Sequence, residues 1–99
     1  MAYQVRFTKA AREDIKRLYA FLLAQDKAAA ERALTTIEQA MQLLNTFPFT
    51  CRKAQADNPF LRELEISFGN NGYVALFEIE ENAIVTIIAV RHQREDDYL

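Results

Sequence analysis

The amino-acid sequence predicts a single α+β domain: an N-terminal strand, an antiparallel helix hairpin, then a three-stranded antiparallel meander, with the helices packed on one face of the sheet. Three observations predict it. Apolar and polar residues alternate with period two at the start of the chain, two adjoining segments repeat apolar residues every three or four positions, and period two returns from Phe60 onward. With 99 residues there is room for one hydrophobic core but not for two, and two Gly and two Pro are too few for a linker or a low-complexity tail.

Tyr3-Gln4-Val5-Arg6-Phe7 reads as a short strand with one buried face. Thr8 offers a hydroxyl to the free N–H groups of a helix start, although Ala11 stands where a capping box would put Glu. Beyond it Ala11, Ile15, Leu18 and Leu22 share one helical face, and the helix is expected to run to about Gln25. Asp26 caps a second helix in which Ala30, Leu34, Ile37, Met41 and Leu44 repeat the spacing up to Phe47-Pro48. The short junction makes the two helices antiparallel, and their apolar stripes then need a sheet to cover them.

The segment from Phe47 to Pro59 is expected to be a loop, with Arg52 and Lys53 in its middle. Phe60, Leu64, Ile66 and Phe68 share one strand face, and Arg62 sits on that apolar parity. Gly69-Asn70-Asn71-Gly72 reads as a hairpin turn into the strand Tyr73 to Glu80, and Glu81-Asn82 as the next turn. Ala83 to Val90 is apolar at nearly every position, as in a central strand covered on both faces. At Arg91 the character changes to a polar ending that carries His92, the sole histidine.

The net charge is −2, so there is no surplus of cations to supply nonspecific phosphate binding; a nucleic-acid contact would need a local basic patch, and otherwise the target is a protein. A single cysteine, Cys51, excludes an intrachain disulfide and a cysteine-based zinc site. Neither a membrane-length apolar run nor a secretory signal is visible, which predicts a cytoplasmic protein with no membrane partner. No cofactor motif is present, and Glu95-Asp96-Asp97 reads as a solvated acidic run rather than a metal site.

The element order, together with Thr8-Lys9-Ala10-Ala11-Arg12-Glu13-Asp14-Ile15, Phe60-Leu61-Arg62-Glu63-Leu64 and Val90-Arg91-His92-Gln93-Arg94-Glu95-Asp96-Asp97-Tyr98, resembles the RelE/ParE superfamily of toxins over nearly the whole chain. The resemblance implies the toxin of a type II toxin–antitoxin module, in a hetero-oligomer with a cognate ParD-like antitoxin. It also implies one of two actions. The ParE-like, plasmid-stabilisation branch is associated with poisoning DNA gyrase, whereas the RelE-like branch cleaves messenger RNA on the ribosome.

A ribonuclease needs a base for the ribose hydroxyl, cations for the phosphorane and an acid for the leaving oxygen. His92 is a candidate acid or base, and Arg62, Arg91 and Arg94 are candidate phosphate holders. The ribonuclease branch usually carries a cation beside the aromatic of its middle strand. Here that stretch is Tyr73-Val74-Ala75-Leu76-Phe77, and the positions matching that branch's terminal His or Tyr hold Gln93 and Arg94. These departures favour the gyrase-directed branch, which needs a binding surface rather than a catalytic set; Arg62, Arg91, His92, Gln93, Arg94 and Tyr98 are the residues expected to form it. A degenerate toxin that only binds antitoxin is a further alternative. Phe21, Leu23, Ala29, Ala33 and Ala40, off the main helical stripes, are the expected antitoxin groove.

Overall fold

The computed structural model describes residues 2–93. Arg94, Tyr98 and the run Glu95-Asp96-Asp97 therefore lie outside the described residues. The elements are β1 (Gln4–Phe7), α1 (Lys9–Leu23), α2 (Lys27–Leu43), a 3-10 turn (Pro48–Thr50), β2 (Arg52–Gln55), β3 (Asn58–Phe68), β4 (Asn71–Glu80) and β5 (Ile84–His92). The strands form one sheet in the order β1-β5-β4-β3-β2. β1 runs parallel to β5, and the other neighbours are antiparallel.

Both helix starts form by side-chain capping. Thr8 accepts from the Ala11 N–H at 3.1 Å, and one Asp26 oxygen accepts from Ala28 and Ala29 at 3.0 and 3.2 Å. The first helix ends at Leu23 rather than Gln25, with Ala24 as its cap. Thr8 has a second role. Its hydroxyl donates to the Ile88 carbonyl at 3.1 Å, and Asp14 on α1 accepts from the Val90 N–H at 3.0 Å. β1 pairs with β5 only as far as Ile87, so α1 satisfies the strand edge that β1 leaves uncovered.

The meander of β3, β4 and β5 is as the alternation predicts, but the sheet holds two more strands than the meander. β1 joins its β5 side. On the other side, part of the segment expected to be loop is β2, paired with β3 through Arg52↔Glu63, Lys53↔Arg62 and Gln55↔Asn58. Arg52-Lys53-Ala54-Gln55 has no apolar alternation, so its pairing left no period-two signal. The ladder and the ion pairs of Arg52 with Glu63, 2.9 Å, and with Glu65 hold it in place. A short, cation-bearing edge strand also discourages pairing with other chains.

The core lies between the helix pair and one sheet face. Ala11 and Leu18 of α1, and Ala33, Ile37 and Met41 of α2, close on Leu64, Ile66, Ala75, Phe77, Val85 and Ile87. Phe77 and Ile87 face each other across β4 and β5, both without measurable exposure, beside a register shift between Leu76 and Phe77. The Gly69-Asn70 turn uses Gly69 at φ 61°, as its sequence predicts.

Candidate functional site

Arg62 stands on the helix side of β3, as its parity with the buried Leu64 and Ile66 requires. Its Nε donates to the Pro59 carbonyl at 2.7 Å, and Nη1 donates to the carbonyls of Cys51 and Phe49 at 2.8 and 3.2 Å. The guanidinium carbon lies 5.3 Å from the Phe49 ring centroid. A residue expected to reach a target thus braces the backbone of the segment before its own strand. Burial pushes the neighbouring Cys51 thiol up, and the Arg62 charge offsets part of that rise.

His92 pairs across the sheet with Tyr73, and the two rings meet edge to face, 5.7 Å between centroids at 89°. Burial raises the Tyr73 phenol. Around them is a hollow of about 270 Å³ on the helix side, walled by Phe21, Leu22 and Phe68. Arg91, one residue earlier, pairs with Val74 and points to the opposite face, where its Nη1 donates to the His92 carbonyl at 3.2 Å. The Gln93 N–H donates to the Gly72 carbonyl at 2.9 Å, closing β5 onto β4.

Among the described residues the candidates therefore do not converge. Arg62 pairs with Phe77 and His92 with Tyr73, four residues apart on β4, a separation of about 13 Å along the strands before the sideways step between them is added. Arg91 and His92 are chain neighbours on opposite faces. Ala33, expected in a partner groove, is 3% exposed and belongs to the core; Phe21 and Leu23, by contrast, are 65% and 42% exposed.

Strand parity places Arg6, Arg52 and Arg91 on the sheet face away from the helices, with Glu63, Glu65, Glu78 and Glu80 among them. Arg52 bonds Glu63 and Glu65. Arg6 donates to Thr86 at 3.0 Å and to Glu80 at 3.3 Å, and Thr86 also bonds Glu80. The Thr86 hydrogen bond, then Arg6, hold the Glu80 carboxyl below the usual carboxylate range. Carboxylates occupy much of the hydrogen-bonding capacity a phosphate would need.

Two aromatic residues that periodicity does not mark as functional are Phe49 and Phe60, the latter expected on the apolar face of its strand. They are 45% and 52% exposed and pack edge to face at 6.2 Å. The signal available was Phe47-Pro48-Phe49, aromatic residues in a segment with no periodic core face. Among the described residues no group of three or more His, Cys, Asp and Glu is placed to hold a metal, and no helix is long and apolar enough to cross a membrane.

Three comparisons bear on this fold. Toxin RelE3 of Caulobacter vibrioides is 37% identical over 86 residues, covering 86% of this chain and 88% of the relative. The chromosomal ParDE toxin–antitoxin system of P. aeruginosa contains a chain that superposes with a TM-score of 0.73 at 17% identity, over 96% of this chain and 98% of that one. A chain of the RelBE2 toxin–antitoxin complex of Mycobacterium tuberculosis gives 0.61 at 24% identity, over 93% and 99%. Residues 5–97 match the family model for the ParE toxin of the type II toxin–antitoxin system parDE, and the chain belongs to that family, within the RelE/ParE superfamily.

Proposed function

We infer that this type II toxin acts as a ParE-like inhibitor of DNA gyrase and is held in check by a cognate antitoxin, with no catalytic step of its own. The observation that carries the reading is the open face of the sheet. Glu63, Glu65, Glu78 and Glu80 share it with Arg6, Arg52 and Arg91; Arg52 bonds Glu63 and Glu65, and Arg6 bonds Glu80. A ribonuclease would need that face to attract an RNA backbone, and carboxylates repel one. The separation of Arg62 from His92, and the opposite facing of Arg91 and His92, supports the same reading: among the described residues His92, the candidate acid or base, faces neither Arg62 nor Arg91, the candidate phosphate holders.

The antitoxin reading is supported by the structural neighbours, both from toxin–antitoxin systems, and by Phe21 and Leu23, large apolar side chains left in water on α1. A partner helix that covers them would lie beside the Phe68–Tyr73–His92 hollow. Hydrogen exchange across both helices should slow when the antitoxin is added.

The deciding experiment runs a gyrase supercoiling and cleavage assay beside a ribosome-bound messenger RNA cleavage assay on one preparation. Gyrase inhibition with trapped DNA breaks and intact RNA is the expected result. Codon-positioned RNA cuts with unaffected gyrase would assign the chain to the RelE-like ribonucleases. Normal growth of cells expressing the chain without antitoxin would leave only antitoxin binding.

A further inference from the structure

At the end of the sheet remote from His92, an open groove of about 850 Å³ runs between two aromatic walls. Phe49 and Phe60 form one wall, Tyr3 the other, and Ile79 lies between them. The Phe49–Phe60 pair is held in place as well as exposed: Arg62 packs over the Phe49 ring and binds the carbonyls of Phe49, Cys51 and Pro59 on either side of it. Half-exposed phenylalanines fixed in this way lose little further freedom when a partner covers them. Among the described residues, the charged ones lining the groove are Glu78, Glu80 and Glu81, with no Lys or Arg.

We propose that this groove is a docking site for an extended, cationic segment of a partner protein, one in which Lys or Arg alternates with apolar side chains. The apolar residues fill the space between the rings. The cationic stems lie along Phe60 and Tyr3 while their heads reach Glu78 and Glu81, whose potential is complementary to theirs. Glu80 already accepts from Arg6 and is the least available of the three. The site is separate from Phe21 and Leu23 on α1 and requires neither gyrase nor the antitoxin.

The test is an amide-shift titration of the full chain with two short blocked peptides, one alternating Lys with Leu and Phe, the other carrying Glu at each Lys position. Expected are saturable shifts at Phe60, Ile79, Asn82 and Ala83 with the basic peptide and none with the acidic one. Glu78→Gln with Glu81→Gln should weaken the basic peptide by about three- to tenfold, as for two partly exposed ion pairs. Phe60→Ser should remove the response, with the rest of the spectrum reporting that the fold persists. Equal response to both peptides, no saturable shift, or shifts centred elsewhere would overturn the proposal. So would groove shifts that follow protein concentration without peptide, which would make the occupant a second copy of this chain.

Discussion

Replacing Arg62 by Met keeps most of the stem and removes the guanidinium, which separates a brace from a target contact. Three carbonyls lose their donor: that of Cys51, whose bond is partly buried, and those of Phe49 and Pro59, where water can take over. A hydrogen bond to a charged group contributes about 1.5–3 kcal/mol when desolvated and a fraction of that at the surface. An exposed cation–π contact adds about 0.5–1 kcal/mol. The substitution should therefore cost about 2–3 kcal/mol, with the Cys51 carbonyl bond the largest part. For a domain of this size that is a fall in Tm of about 8–20 °C. Arg62→Lys, which cannot reach all three carbonyls at once, should recover only part of it. Thermal unfolding by circular dichroism reads the effect. A Tm within about 2 °C of the parent, with toxicity lost, would refute the brace and return Arg62 to the target-binding set.

Gly72→Ala should destabilise by about 2–3 kcal/mol in denaturant unfolding, because a Cβ there would stand 2.1 Å from the Ile66 carbonyl oxygen and the β3–β4 backbone must move. Ala83 sits at φ 58°, a left-handed conformation that costs a residue with a Cβ about 1–2 kcal/mol. Ala83→Gly should stabilise by about 0.5 kcal/mol once the freedom of glycine in the unfolded chain is set against that strain. Burial raises both the Cys51 thiol, ordinarily 9.0, and the Tyr73 phenol, ordinarily 10.0, so the folded chain holds these protons more tightly than the unfolded one. Their contribution is complete below those ordinary values and disappears as pH rises through the folded ones. Tm should therefore decline above about pH 9, and Tyr73→Phe should lessen the part of the decline above about pH 10.

The helices were legible because each has one wet and one dry face, and the meander because its strands either alternate, as β3 does, or run apolar between turn residues, as β5 does. Ala11, Leu18, Ile37 and Met41 recur at helical spacing and are buried, and Leu64, Ile66, Phe77 and Ile79 alternate and are buried. The caps at Thr8 and Asp26 were legible for a related reason: their chemistry acts within three residues of chain. β2 was not, because an edge strand that buries little carries no alternation, and its stability comes from Glu63 and Glu65, 11 and 13 residues later.

The candidate site was legible only as residue types. Parity in the sequence put Arg62 on the apolar face, and that is where it lies; what parity does not encode is that the core face at this end of β3 meets backbone carbonyls instead of side chains. An arginine on a core-facing position needs acceptors, and carbonyls freed by the turn at Pro48–Thr50 and by the β2–β3 hairpin supply them without a carboxylate partner. The same arrangement leaves Phe49 and Phe60 outside the core. Their ring pair depends on a contact across 11 residues that no local periodicity marks. The surface with the clearest binding chemistry is thus built by the residue whose sequence position suggested that it did the binding itself. Loss of activity in an Arg62 variant would accordingly implicate the guanidinium only if Phe49 and Phe60 are first found to keep their places.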